Sequence, residues 1–218
     1  MLPTLPGLLL LLALGSLGAI LIVRGWAGFL SQNRPVGHGV LVVEGWVSGD
    51  SLNVAAKLAR SGVYDAVVVS GGPVEDVLRD CGFMTYAERA AFGLKKFGLG
   101  TARLIVASAP ASAQDRTYRS SISVRQALEK EKLKVVALDV FSSGPHARRT
   151  RNLYQLAFGD TVDVGVISAA PADYDMTYWW ITSAGVKEVL AETVAYLWTQ
   201  CCFHPGVRGS WEESWQAG

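Results

Sequence analysis

Val135-Val136-Ala137-Leu138-Asp139-Val140-Phe141 is followed directly by Ser142-Ser143-Gly144-Pro145-His146-Ala147-Arg148-Arg149. A β-branched apolar run stops at small residues, and a helical pattern begins. Such a switch marks a buried strand that runs through a short loop into a helix N-terminus. His146 and Arg149 are three residues apart, and Leu153 and Leu156 continue their stripe. The apolar part of the stripe faces the sheet, so its first turn overlooks the crevice above the strand end. Open α/β sheets bind their ligands at these strand carboxyl ends.

Three other runs read the same way on the N-terminal side. Val40–Val43 ends at Glu44-Gly45-Trp46. Ala66–Val69 ends at Ser70-Gly71-Gly72-Pro73, and Arg103–Ala107 ends in a loop of small residues, 108–114. On the C-terminal side, Val162–Ile167 makes a fifth strand. Continuous apolar runs suit strands buried on both faces. Helical patterns separate them: one capped by Ser48 or Asp50 and closed by Gly62, one from Thr85 to Phe97, one from Asp115 to about Lys132, and a last one from about Ser183 to Trp198. Residues 75–82 are polar and read as loop. Alternation of this kind predicts an α/β, Rossmann-like, doubly wound and mostly parallel five-stranded sheet.

The segment Leu8–Leu30 is apolar apart from Arg24. As one helix it would span roughly 33 Å, about the thickness of a bilayer core. Nothing basic precedes it and no A-x-A site occurs around Ala13 to Ala19, so it reads as an uncleaved transmembrane helix rather than a signal peptide. Trp26 and Phe29 suit the interface. The side of the membrane stays open, because Arg24 and Arg34 alone carry the charge bias. The expected organisation is an anchor over 1–30, a linker over 31–38, the α/β domain over 39–200 and a little-ordered tail over 201–218.

Twenty Lys and Arg stand against 19 Asp and Glu, which gives no basic excess for nucleic acid. The cysteines, Cys81, Cys201 and Cys202, make neither a disulfide framework nor a zinc pattern, and no P-loop or G-x-G-x-x-G occurs. No metal is expected, and no cofactor is identified. The glycine pair after the second strand lets backbone amides approach an anion, or is an ordinary turn. Glu88 follows Thr85 at capping-box spacing, which accounts for it without chemistry. Thr117 falls in the first turn over the sheet edge.

Taken together, Val69-Ser70-Gly71-Gly72, Ala87-Glu88, Asp115-Arg116-Thr117 and His146 with Arg149 resemble the DUF218 family, also called the ElyC/SanA/YdcF family, over about residues 38–200. Ser120, Pro145 and Glu44-Gly45-Trp46 depart from its usual pattern. The resemblance implies a Rossmann-like domain, often anchored in the bacterial inner membrane, and a link to cell-envelope and peptidoglycan biogenesis. It raises Gly71, Gly72, Glu88, Thr117, His146 and Arg149 as site residues. The expectation is a small anionic ligand, phosphate-bearing or nucleotide-like, bound by Glu44, Ser70, Gly71, Gly72, Thr117, Ser142, Ser143 and Arg149. His146 and Glu88 are the expected acid–base pair. Protein partners are not identified. Enzyme and non-catalytic membrane sensor both remain open.

Overall fold

The computed structural model describes residues 4–207, 209, 210 and 213. Five parallel strands form the sheet: β1 (Gly39–Glu44), β2 (Tyr64–Gly71), β3 (Arg103–Ser108), β4 (Ala137–Ser143) and β5 (Asp163–Ala169), in the order β3-β2-β1-β4-β5. Among the described residues, seven helices accompany them: α1 (Leu5–Leu30), α2 (Gly49–Arg60), α3 (Asp76–Asp80), α4 (Tyr86–Phe97), α5 (Arg116–Lys130), α6 (His146–Phe158) and α7 (Ser183–Cys201). A 3-10 segment, Met176–Ile181, leads into α7. The chain leaves β1 toward β2 and β3 on one side, then returns to β4 and β5 on the other. The strand order therefore reverses between β1 and β4, where doubly wound sheets open their binding crevice.

The alternating sides of the strands build two cores. Val40, Val42, Val68, Leu138 and Val140 meet Ile122, Leu128, Leu153 and Tyr154 of α5 and α6. Leu41, Val43, Val67, Val69 and Phe141 meet Leu52, Ala55, Ala90 and Leu94 of α2 and α4. A third, smaller core joins the end of α1 (Ala27, Leu30) to Tyr174, Trp179 and Val189.

Several expected boundaries move. β4 begins at Ala137 and runs through Ser142 and Ser143, which pair with Ser168 and Ala169 of β5. Backbone pairing continues a strand regardless of whether its side chains are apolar. The polar stretch 75–82 contains the short helix α3. Residues 31–38 are fastened rather than free. Arg34 exchanges backbone hydrogen bonds with Val166, and the buried Asp139 carboxylate accepts from the amides of Val36 and Gly37, both at 2.7 Å. The Tyr64 hydroxyl donates to the same carboxylate at 2.8 Å. Gly165, level with Asp139, leaves room for this knot: a Cβ there would stand 2.0 Å from Asp139 Oδ1 and 2.5 Å from the Val36 nitrogen.

Among the described tail residues, two reach back to α5. Phe203 packs edge-on against Tyr118, and the buried Glu213 carboxylate takes a two-pronged salt bridge from Arg125, at 2.8 and 2.5 Å. The tail positions 208, 211, 212 and 214–218 lie outside the described residues. Adjacent Cys201 and Cys202 are joined as a vicinal disulfide, while Cys81 is free and exposed.

Candidate functional site

A cleft of about 760 Å³ lies over the carboxyl ends of the strands. Its volume is in the range of small-molecule sites. Glu44 from β1, Ser70, Gly71 and Gly72 from the end of β2, Thr117 from α5, and His146 and Arg149 from α6 all line it. Loops widely separated in the chain therefore converge on one pocket, and seven of the expected site residues share it.

His146 gathers several polar partners in its wall. Pro145 precedes it as the helix cap, so the imidazole belongs to the first turn of α6. Nδ1 lies 2.7 Å from Glu192 Oε1 on α7. Arg149 holds the same carboxylate, with Nε 2.9 Å from Oε2 and Nη2 3.0 Å from Oε1. The remaining nitrogen, Nε2, faces Thr117 Oγ1 at 3.4 Å and Glu44 Oε1 at 3.8 Å. Trp46 meets the ring edge-on, with centroids 4.9 Å apart. Glu192 thus fixes one nitrogen as a donor and leaves the other toward the cleft. This is how a carboxylate orients a histidine base in many hydrolytic sites.

Burial opposes the charge on Glu192. His146 and then Arg149 outweigh that cost and hold its pKa at about 2. Its neighbour Glu188 moves the other way: burial pushes its carboxyl up, Tyr174 pulls against this, and the charge of Glu192 adds to it. Asp115, in the left-handed region at φ 54°, also lines the cleft, and burial raises its carboxyl against the pull of Arg119 and Arg149.

The floor is a second buried network. Ser142 donates to Glu44 Oε2 at 2.5 Å, and Ser70 Oγ lies 3.2 Å from the hydroxyl of fully buried Tyr154. Ser142 therefore acts beneath the cleft, by holding Glu44. Neither Ser142 nor Ser143 is among the residues that line it. Gly71 has a packing reason: a Cβ there would lie 2.7 Å from the Cβ of Tyr86, where α4 begins.

Glu88 is set apart from the other expected site residues. Its carboxylate accepts from the amides of Met84 and Thr85, and Thr85 Oγ1 accepts from the Glu88 amide, which completes a capping box. It does not line the cleft, and its Oε2 accepts both amides at the helix start. The carboxylate that orients His146 is Glu192 instead.

Glu188, Glu192, Trp46 and Asp115 are not among the site residues expected from sequence. One signal was present: Glu188 and Glu192 are four apart on a helix otherwise rich in apolar residues. Like charges at that spacing weaken an isolated helix, so they point to a partner elsewhere.

Among the described residues, no cluster of three or more His, Cys, Asp or Glu suits a metal ion. No family model, curated protein or solved structure matches this chain. The likeness to the DUF218 family accordingly rests on the motifs quoted above.

Proposed function

We propose that this chain is a membrane-anchored protein of the bacterial envelope that binds a phosphate-bearing or nucleotide-like small molecule in the strand-end cleft and acts on it by proton transfer. The observation that carries the chemistry is His146, held by Glu192 at one nitrogen and open to the cleft at the other. In this reading His146 is the general base and, once protonated, the general acid. Glu192 and Arg149 are positioning residues.

The charge pattern bears on the ligand. Arg116, the Gly72 backbone and the start of α6 offer donors to an anionic group. Arg149 turns its Nε–Nη2 edge to Glu192 and Nη1 to Thr117, at 3.4 Å, so it contributes less to that group than sequence suggested. Glu44 and Glu188 offer acceptors. A molecule that carries both a phosphate and several hydroxyls, such as a sugar or nucleoside phosphate, uses both sets.

The anchor reading rests on α1. Its 26 residues are apolar enough to cross a membrane, a property that signal sequences share. Its end, however, is built into the domain: Ala27 and Leu30 are 0% exposed, Trp179 Nε1 donates to the Val23 carbonyl at 3.2 Å, and Trp26 Nε1 donates to Thr193 at 2.7 Å. Cleavage after the apolar stretch would remove these partners from the folded domain. The envelope link follows from the DUF218 resemblance.

The test is turnover of nucleotide-sugars and sugar phosphates by the full chain in detergent. His146→Ala should lower any turnover by about a hundredfold or more. Equal rates in both proteins would remove the histidine from the mechanism, and a molecule bound but never consumed would make the cleft a sensor site.

A further inference from the structure

α7 presents three faces. Glu188, Glu192, Ala195 and Thr199 line the cleft. Val189, Thr193 and Tyr196 turn toward α1, where Val189 packs with Ala27 and Leu30, Thr193 accepts from Trp26, and Tyr196 meets Phe29 edge-on at 5.7 Å. The third face carries Lys187, Leu190, Val194 and Leu197, and all four are exposed. Spacings of three and four place each set on its own side of the helix.

The 3-10 segment before α7 is exposed in the same manner. Ile181 is 71% and Tyr178 51% exposed, although Trp179 between them is buried against α1. The level of this segment along α1 is fixed by contacts. Trp179 bonds to the Val23 carbonyl, and Arg24 lies over the Trp180 ring at 5.8 Å from its centroid. At 1.5 Å per residue, α1 is about 39 Å long against a hydrocarbon core of about 30 Å. Val23 and Arg24 therefore fall where a span beginning near Leu5 leaves the core. Tryptophan, tyrosine and a snorkelling cation are the side chains that membrane interfaces favour.

We infer that the exposed edge formed by Tyr178, Ile181, Lys187 and Leu190 lies in the headgroup layer of the bilayer that α1 enters. The domain would thus have a second, peripheral contact with lipid beside its anchor. This inference rests on reading α1 as a membrane span. Trp180 with Arg24, and Lys187, take the polar boundary, while Ile181 and Leu190 bury their apolar surface in lipid. The contact holds the domain against the membrane in one orientation. Because α7 also walls the cleft, that orientation fixes how the cleft faces the bilayer.

The test uses the full chain in phosphatidylcholine–phosphatidylglycerol vesicles, with Cys81→Ser, Cys201→Ser and Cys202→Ser as background. Single nitroxide labels are placed by Ile181→Cys and Leu190→Cys. Leu14→Cys, within the apolar part of α1, and Val106→Cys, on β3 at the opposite edge of the sheet, serve as references. All four native side chains are exposed, so the labels disturb little packing. The readout is the ratio of accessibility to oxygen over that to a water-soluble nickel chelate. The inference expects ratios at 181 and 190 several-fold above that at 106 and below that at 14. Ratios at 181 and 190 equal to that at 106, with a high ratio at 14, would overturn the contact and leave the anchor standing. A low ratio at 14 as well would overturn both.

Discussion

At the scale of single residues, the account turns on how much one carboxylate is asked to do. Glu192 is mostly buried, yet its pKa is held at about 2, below the ordinary 4.5, because His146 and Arg149 surround it and outweigh the cost of burial. A folded-state value below the unfolded one stabilises the fold above the unfolded value. That contribution should be complete above about pH 4.5 and should fade as the pH falls toward 2. Glu192→Gln removes the charge and leaves Arg149 and His146 facing a neutral amide. We expect a loss of about 2–3 kcal/mol in urea unfolding at pH 7, shrinking toward zero on acidification. A pH-independent loss would mean that packing, not charge, holds this corner. Asp139 gives a second check. It accepts three hydrogen bonds in a buried position, so Asp139→Asn turns an amide donor toward donors, and unfolding should show a loss of about 2–4 kcal/mol. His146 and Arg149 were readable from their place after an apolar run. Glu192 was not, because its partner lies 46 positions away and no local pattern joins them.

Helices and strands set the next scale. α4 begins with a reciprocal cap between Thr85 and Glu88. Thr85→Ala should cost about 1 kcal/mol, and Glu88→Ala a similar or smaller amount. Ligand binding measured by calorimetry should be unchanged by Glu88→Ala if the glutamate serves only the helix. β5 carries a stricter demand. Gly165→Ala would drive a methyl group into the Asp139 carboxylate and the chain at Val36, and thermal unfolding should fall by many degrees, the result of forced displacement in a packed site. All five strands were legible because buried parallel strands are continuous apolar runs. Their ends were less so. β4 extends through two serines because β5 supplies backbone partners, and side-chain chemistry does not report that. The short helix α3 sits in a polar stretch with no apolar stripe to announce it.

At the scale of the whole molecule, α1 and the α/β domain share a core. A chain beginning at residue 31 would lose Ala27 and Leu30 from the third core and leave Tyr174, Trp179 and Val189 uncovered. It should express as aggregate or unfold well below the full chain, as read by size-exclusion chromatography in detergent. A well-behaved soluble domain of unchanged stability would mean that α1 is only a tether. Sequence distinguished the apolar span from the α/β domain, but not that 31–38 is pinned to β4 and β5, nor that Glu213 returns to Arg125. Both are contacts between distant segments made through backbone amides or single charged side chains, which leave no periodic trace.

The central claim is that His146 acts on a small molecule held in the strand-end cleft. Native mass spectrometry of the full chain in detergent, wild type beside His146→Ala, tests it most directly after both are incubated with an extract of cellular small molecules. The account predicts a molecule retained by the variant that the wild type releases or carries with an altered mass. The same bound mass at the same occupancy in both proteins, or none in either, would contradict it.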